Sequence, residues 1–405
     1  MNRFTHQMTS YWQQMLSVMR NEFRTIFTDA GVVLILVLAL IIYATVYSMA
    51  YGAQVLRNVP IGVVDECRTP TSRSLIETFN AGPNTYVAYE PTDMEEAREL
   101  FYGRKIYGVV YIPSDYERKL VGGSQADVAI YCDASYFLMY RQGFQELGTT
   151  IGQTGAMVEF RRLIAKGADI PQAQAVTQPV IYQSHNLFNP YLGYGTFVMP
   201  AIIIVIIQQT MLIGIGMIGG TWREHGLYRK LRPAGRGRMS TLPIVLGRAT
   251  VYALIYAVTC AYVLGLHYRM FHFPMNGQTG AVALFTAVYL AACIAMSIAV
   301  STLFRYRENS LLLLLWTSIP VLMLSGISYP REGIPEWMFA LGKLFPSSHG
   351  VNGFIRIQTM GASLGEVFAE IKWLVILTVA YGGLACIGIH QVIRREERER
   401  CGKGE

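Results

Sequence analysis

The sequence is short of charge, and the shortage is concentrated in long stretches. Asp, Glu, Lys and Arg make up 15% of its 405 residues, against about 25% in an average soluble domain. Six runs contain none of these residues: 30–56, 186–222, 249–266, 270–304, 309–330 and 373–393. Because a spanning helix needs about 20 mostly apolar residues, the runs predict an integral membrane protein with six transmembrane helices.

Motifs for catalysis or fuel handling are also missing. No G-x-x-x-x-G-K-[ST] stretch occurs, so the sequence contains no phosphate-binding loop of that kind. His267 and His272 are separated by a spacing that matches no common ligand set, and His349 has no acid nearby. No Asp, Glu, Lys or Arg falls in the middle of an apolar run, which argues against a carrier driven by its own ion coupling. We therefore expect no metal, no catalytic residue and no cofactor bound by this chain.

The six cysteines indicate little about function. Cys260, Cys293 and Cys386 lie inside apolar runs, where a cysteine behaves as a small buried apolar residue. Cys67 and Cys132 share the long polar segment after the first run. These two cysteines could form a disulfide in an oxidising compartment. The sequence alone does not decide this, because it does not give the distance between them.

One short stretch is strongly basic. Residues 221–248, here called the basic segment, hold seven Lys or Arg against the single acid Glu224. Such short basic loops remain on the cytoplasmic side of a membrane, where anionic headgroups also attract them. Topogenic charge alone is one interpretation. Docking of a partner is favoured, because Gly226 and Pro233 delimit a short helix beginning near Glu224. No nucleic-acid partner is expected.

Residues 1–30 form a cytoplasmic N-terminus with an amphipathic helix over 10–28. Trp12, Leu16, Met19 and Phe23 recur at helical spacing, which is typical of a helix that lies in the membrane interface. Residues 31–56 are expected to be an uncleaved first span. Residues 394–405 are a tail on the same cytoplasmic side as the N-terminus.

Residues 57–190 have the pattern of an extracytoplasmic α/β domain. Strands are predicted near 59–64, 86–89, 106–112 and 128–131, and helices near 72–80, 93–103, 114–121 and 137–166. Strands that alternate with helices indicate βαβ units with mainly parallel pairing.

Residues 191–393 hold the other five predicted spans, with a punctuated segment at 326–370. Gly326, Pro330, Pro335 and Pro346 interrupt apolar stretches that are too short to cross a bilayer. A re-entrant or interfacial helical segment packed on the bundle is expected, because broken helices at that depth need protein around them.

Polar or aromatic side chains within two of the apolar runs are candidates for a translocation pathway. Isolated polar residues in a span also commonly bond to a neighbouring helix, so both readings stay open. The candidates are Tyr194, Gln208, Gln209, Trp316, Thr317 and Ser318.

Several stretches resemble one known family. Residues 222–233, WREHGLYRKLRP, are similar to the coupling segment R-E-x-G-T-x-E-x-L-x-x-x-P of type-2 ABC exporter permeases. The likeness is to the drug-resistance branch, which carries a large external domain after the first span. Residues 247–248 stand where these permeases have a Gly-Lys pair, residues 325–346 are similar to their external signature, and residues 20–24 resemble their elbow helix. Leu227 and Tyr228 depart from the coupling pattern.

The resemblance implies a permease subunit that acts with separate ABC ATPase subunits, which bind ATP and Mg. It also implies a second permease copy or a paralogue, and a bacterial inner membrane location. A periplasmic adaptor is an expected partner where the envelope has an outer membrane. The residues implied in ATPase coupling are Arg223, Glu224, His225, Gly226, Arg229 and Pro233.

Two other function classes remain as alternatives. A membrane-anchored sensor or assembly factor would bind a ligand through the α/β domain, but such a protein needs only one or two spans. An integral membrane enzyme would need a catalytic cluster, and none is evident.

Overall fold

A computed structural model describes residues 2–181, 183–231 and 241–401. The chain divides into two compact units: a helical unit, Met1–Gln54 with Asn186–Glu405, and an α/β unit, Val55–His185. Helix predominates, with one small mixed sheet, so the predicted combination of a helical protein and an α/β unit is confirmed.

The chain begins with helix α1, Asn2–Thr28. Trp12, Leu16 and Phe23 are about half exposed, at 57%, 57% and 54%, so the predicted apolar strip faces away from the rest of the unit. A second strip, Val18, Glu22 and Ile26, is fully buried against helix α9, which is described below. The predicted amphipathic helix is confirmed, and the buried strip is an additional feature.

Helix α2, Ala30–Ala50, follows α1 after a single residue. That residue, Asp29, caps α2, because its carboxylate accepts hydrogen bonds from the N–H groups of Gly31 and Val32 at 3.0 and 3.2 Å. A π-helical turn, Leu34–Leu38, interrupts α2 near its start.

The α/β unit is built around four strands. They are β1 Val59–Asp65, β2 Thr85–Tyr89, β3 Gly108–Ile112 and β4 Ala129–Cys132. The helices are α3 Pro70–Ala81, α4 Met94–Tyr102, α5 Tyr116–Val121, α6 Phe137–Ala165 and α7 Ile170–Thr177. The sheet order is β2-β1-β3-β4, with β1 parallel to both β2 and β3, and β4 antiparallel to β3. The predicted strands and helices are confirmed, including mainly parallel pairing.

Strand alternation gives the α/β unit two small cores, one on each face of the sheet. Ile61 and Val63 of β1 pack with Phe79 of α3 on one face, whereas Val64 packs with Ala97 of α4 on the other. Burial on both faces explains why the central strands read as apolar runs.

The register of the sheet shows that Cys67 and Cys132 are too far apart to form a disulfide. Cys132 is opposite Gly108, which is opposite Ile61, whereas Cys67 lies beyond Asp65 at the other end of β1. At about 3.3 Å per residue, the distance exceeds the roughly 7 Å limit for a disulfide. Both cysteines are free thiols, and burial raises the pKa of the Cys132 thiol to about 11.

Four more long helices complete the main bundle: α8 Tyr194–Glu224, α9 Leu242–Met270, α10 Thr279–Ser301 and α14 Phe368–Cys401. Helix α8 packs against α2 and α10, and α10 packs against α9 and α14. With α2, five helices in the described ranges are long and apolar enough to cross a membrane.

The sixth predicted span is shorter than expected. Helix α11, Arg307–Leu324, has 18 residues and opens with Arg-Glu-Asn. It ends before residue 330 because Gly326, at φ = +84°, takes the left-handed conformation that closes a helix. Helix α11 packs along α8, but its apolar length does not by itself reach about 20 residues.

The segment after α11 contains two short helices, α12 Glu336–Gly342 and α13 Pro346–Phe354. A π-helical turn, Ile355–Thr359, extends α13. Helix α13 packs against α8, α10 and α14, so the punctuated segment is part of the bundle.

Candidate functional site

The basic segment starts within the last turn of α8, and a glycine ends that helix. Gly226 has φ = +59°. Its N–H donates to the Arg223 carbonyl at 3.2 Å, and the Leu227 N–H donates to the Trp222 carbonyl at 2.8 Å. These two bonds form a Schellman motif. A short helical turn does follow Gly226 as predicted, the 3₁₀ turn Tyr228–Leu231, but it begins at Tyr228 and not near Glu224, which belongs to the last turn of α8.

The last side chains of α8 divide between packing and exposure. Arg223 Nη1 donates to the carbonyl of Thr302 at 3.1 Å, which places a cation at the C-terminal end of α10. Glu224 and His225 are exposed. His225 Nδ1 lies 2.9 Å from the Thr221 carbonyl of its own helix. The tip of α8 therefore presents an acid and an imidazole on an anchored helix end.

A buried ion pair lies directly behind this tip. Arg248 of α9 and Glu22 of α1 are both 0% exposed, and Arg248 Nε donates to Glu22 Oε1 at 2.8 Å. The Tyr252 hydroxyl donates to the same oxygen. Arg248 Nη1 also donates to the Tyr228 hydroxyl at 3.4 Å. A charge buried this deeply is tolerated when it is paired and hydrogen-bonded.

Two aromatic rings of the basic segment enclose the guanidinium. The Arg248 Cζ atom lies 5.3 Å from the ring centroid of Trp222 and 5.9 Å from that of Tyr228. The two rings meet edge to face, with centroids 5.6 Å apart. Both contacts are within cation–π range. We call Glu22, Trp222, Tyr228, Arg248 and Tyr252 the charge cluster; it joins α1, the end of α8 and the start of α9.

The charge cluster shows that one cation of the basic segment does not belong to a loop. Arg248 lies inside α9 and pairs with a residue 226 positions away, so it is not a loop cation. One signal in the sequence pointed to this: Val18, Glu22 and Ile26 recur every four residues, which puts an acid on a buried apolar strip. Tyr228, where the chain departs from the family's coupling pattern, supplies a hydroxyl to the cluster.

Two further polar contacts hold the same end of the bundle together. The backbone N–H of Arg229 donates to Glu396 Oε2 of α14 at 3.0 Å. Arg307 Nη2 donates to Asp29 Oδ1 at 3.0 Å, which links the start of α11 to the cap of α2. Hydrogen bonding from Arg307 holds the pKa of the Asp29 carboxyl below its usual range. Pro233 falls outside the described residues.

Two of the pathway candidates line one groove in the bundle. This cavity of about 330 Å³, here called the bundle groove, lies among α2, α8 and α11. Gln209 and Ser318 line it, together with Tyr43 and Tyr47. Gln209 is 8% exposed, and neither its amide nitrogen nor its amide oxygen has a hydrogen-bond partner among the described residues. Trp316 belongs to the adjacent exposed face of α11 and is 80% exposed.

The other candidates have different surroundings. Gln208 is fully buried, and its Oε1 accepts a hydrogen bond from the Ser347 N–H at 2.7 Å, so α8 caps α13. Tyr194 opens α8 and meets the ring of Tyr51 edge to face at 5.3 Å. Thr317 is half-buried on α11.

The glycine and prolines of the punctuated segment each mark a boundary. Gly326 follows α11, Pro330 precedes a 3₁₀ turn, and Pro335 is the cap of α12. Pro346 is the first residue of α13, a position where its missing N–H leaves no bond unmade. These residues position short helices, and α13 in turn contacts Gln208.

Comparison with known proteins identifies the family. The profile described as "ABC-2 family transporter protein" matches residues 30–387. The chain belongs to the ABC-2 transporter family. Membership makes it a membrane transporter subunit whose relatives work with ATPase partners, and it does not favour the sensor alternative.

Individual relatives match over most of the chain. The "Probable multidrug ABC transporter permease YbhR" of Escherichia coli K12 is 21% identical over 375 residues, covering 92% of this chain and 97% of the relative. The "Inner membrane transport permease YhhJ" of the same strain is 25% identical over 382 residues, covering 92% and 96%. "ABC transporter G family member 20" of Dictyostelium discoideum is 21% identical over 335 residues, covering 82% of this chain but 44% of that protein.

Proposed function

We propose that this chain is the permease subunit of an ATP-driven exporter in a bacterial inner membrane, and that a separate ATPase binds the tip of α8. The observation that carries the proposal is the contrast at this tip. Glu224 and His225 are exposed, while Trp222 and Arg223 beside them are anchored to α9 and α10. A partner that grips the exposed pair acts on residues that are fixed to several helices.

The charge cluster would transmit a force on the tip of α8 to other helices. Helix α8 has 31 residues, or about 46 Å at 1.5 Å per residue, which exceeds the ~30 Å hydrocarbon core. The cluster ties its end to α1 and α9 through buried contacts. When ATP closes the partner subunits, pressure on Glu224 would therefore move α8, α1 and α9 together, because packed elements shift as units.

In this proposal the basic segment and both termini are cytoplasmic, in keeping with the positive-inside bias. Helix α11 serves as the sixth span, together with the turns at its two ends. The α/β unit is then extracytoplasmic, and it supplies the surface for a periplasmic adaptor where an outer membrane is present.

The bundle groove is proposed as the substrate contact, for a hydrophobic or amphipathic molecule. Its tyrosines and apolar side chains suit such a molecule, and the unpartnered amide of Gln209 offers both a donor and an acceptor. Trp316, Leu315 and Ile319 form an exposed apolar face on α11, at 80%, 67% and 68% exposure. A second permease copy, or a paralogue, packed near this face would enclose the groove and bring Trp316 to the pathway.

Replacing Glu224 by Arg tests the docking proposal. Reversing the charge opposes the partner's complementary surface, and such juxtapositions cost several kcal/mol, so export should fall by about tenfold or more. Glu308→Arg is the matched control, because Glu308 is also exposed and belongs to the first turn of α11. Dye export from cells and copurification of the ATPase are the measurements. Wild-type export by Glu224→Arg would disprove docking at this residue.

The pathway proposal is tested with Gln209→Leu and Trp316→Ala. Both should weaken the stimulation of ATPase activity by transported compounds while leaving unstimulated activity in place. Val375→Ala is the control, since Val375 is an exposed apolar residue of α14 at 46% and lines neither the bundle groove nor the second groove described below. Unchanged stimulation in both variants would remove the bundle groove from the pathway.

A further inference from the structure

A second groove, on another side of the bundle, has walls that suit a lipid. One stretch of it, with a volume of about 870 Å³, lies between α9, α10 and α14. A second stretch, of about 380 Å³, continues from it along α9 and α10. Ala257, Ala287 and Leu290 line both stretches, so the two form one continuous lipid groove.

The larger stretch is walled by apolar and small side chains, and none of its lining residues is charged. It runs along α9 from Leu242, within the basic segment, and the second stretch reaches Arg269. At 1.5 Å per residue, the wall from Ala257 to Arg269 is about 18 Å long, close to the ~15 Å of one leaflet's hydrocarbon. An acyl chain has the shape and polarity that this groove would accept.

The far end of the groove is polar and carries a positive charge. Arg269 is the single charged residue lining it, is exposed, and has no ion-pair partner in the described part of the chain. Thr279, the first residue of α10, also lines it, and Gln278 provides no side-chain cap for that helix. A cation beside an uncapped helix N-terminus favours an anion such as phosphate.

Two buried polar groups that line the second stretch lack partners. Gln358 is 2% exposed and Thr286 is 6% exposed, and both line the second stretch. The Nε2 atom of Gln358 and the Oγ1 atom of Thr286 have no hydrogen-bond partner among the described residues. Such groups cost free energy unless a ligand or water satisfies them.

We propose that this groove binds one phospholipid, in the leaflet opposite the basic segment. The phosphate accepts hydrogen bonds from Arg269, the first N–H groups of α10 and the amide of Gln358. One acyl chain runs past Ala257 toward Leu290. This proposal requires only that the helices lie in a membrane, and it is independent of the direction of transport.

The test uses the full chain, purified in mild detergent, stripped of lipid and examined by native mass spectrometry. Dioleoyl phosphatidylglycerol should remain bound as one molecule, whereas dioleoylglycerol, which lacks the phosphate, should be retained far less. Arg269→Gln and Gln358→Leu should lower retention by about tenfold each, the range for a hydrogen bond to a charged group. Arg269→Lys should recover part of the retention, because it keeps the charge.

Matched controls separate this site from ordinary lipid contact. Lys372→Gln removes an exposed cation that does not line the groove, and should have no effect. Ala257→Phe fills the groove and should reduce retention. Val258→Phe changes the neighbouring residue, which is 72% exposed and outside the lining, and should not.

Three results would overturn the proposal. Equal retention of the two lipids would mean that the phosphate is not recognised. Equal losses in Arg269→Gln and Lys372→Gln would indicate non-specific attraction. Displacement of the lipid by millimolar inorganic phosphate alone would make this a site for a soluble anion. A monodisperse elution profile for each variant guards against loss of the fold.

Discussion

The two units of this protein handle charge in opposite ways. In the α/β unit, the Lys119–Asp115 pair is close, at 3.0 Å, but its side chains remain 34% and 26% exposed. In the helical unit, the Arg248–Glu22 pair is 0% exposed on both sides. Water screens the first pair and cannot reach the second. The ion pair in the helical unit therefore joins two helices that are far apart in the chain, whereas the ion pair in the α/β unit joins residues four positions apart.

Breaking the buried pair should produce the largest effect on stability. Glu22→Gln leaves the Arg248 charge buried without its counter-ion, so the free energy of unfolding should fall by about 3–5 kcal/mol. Thermal unfolding in mild detergent measures this change. The double variant Glu22→Gln/Arg248→Met removes both charges and should recover most of the loss.

Lys119→Met is the matched variant for this comparison in the α/β unit, and it should change unfolding little because its pair is exposed. If the double variant were as unstable as Glu22→Gln alone, the charge pairing would not be what holds α1 on α9. Equal effects of Lys119→Met and Glu22→Gln would erase the contrast between the units.

Glycines should show a smaller effect, opposite in sign between the units. A Cβ at Gly247 would lie 2.9 Å from the Met15 carbonyl oxygen of α1, so Gly247→Ala should lower stability by about 1–3 kcal/mol through overpacking. Gly148, in α6, has no atom within 4 Å of its added Cβ. Gly148→Ala should therefore raise stability by roughly 0.5–1 kcal/mol, since alanine favours helix. Melting temperatures of both variants, measured together, check the two signs.

A destabilised Gly148→Ala, or a neutral Gly247→Ala, would show that these backbone distances do not control packing. Export by the same two variants tests the proposed transmission of force from the ATPase to α1. Displacing α1 at Gly247 should reduce export as well as stability. Gly148→Ala should leave export unchanged.

The smallest expected effect concerns Asp29 and acid. Hydrogen bonds from Arg307 keep the pKa of this carboxyl below its ordinary value. A lowered pKa in the folded state adds stability that is present above about pH 4 and is lost as the pH falls through the folded pKa. Asp29→Asn keeps the cap of α2 but loses the ion pair with Arg307. The stability of this variant should therefore not show the loss in acid that the Asp29 carboxylate causes. Asp29→Ala loses the cap as well, worth about 1 kcal/mol.

Melting temperatures from pH 7 to pH 3 measure the difference between wild type and Asp29→Asn. Wild type should melt at a higher temperature than Asp29→Asn at neutral pH, and this difference in melting temperature should become smaller in acid. A gap that stays constant over this range would contradict a role for the Asp29 charge.

Local pattern was enough to predict much of the fold. Strands β1 to β4 and helices α3 to α6 follow from the alternation of apolar runs and turn residues, since neither signal needs a distant partner. The same is true of the long helices α8 and α10, whose apolar length is visible directly. Helix boundaries were predicted less well: α8 continues to Glu224, inside the basic segment, where Trp222 and Arg223 contact Arg248 and Thr302.

The amino-acid sequence by itself determined the membrane character, the mixed α/β unit and the basic segment, because hydropathy, period and charge are properties of neighbouring residues. Tertiary structure alone decided that Arg248 pairs with Glu22, that Cys67 and Cys132 stay apart, and that Gln209 lines a groove while Gln208 caps α13. Each of these depends on which residues meet across a helix interface or a sheet register. Those meetings join residues far apart in the chain, so no local pattern specifies them.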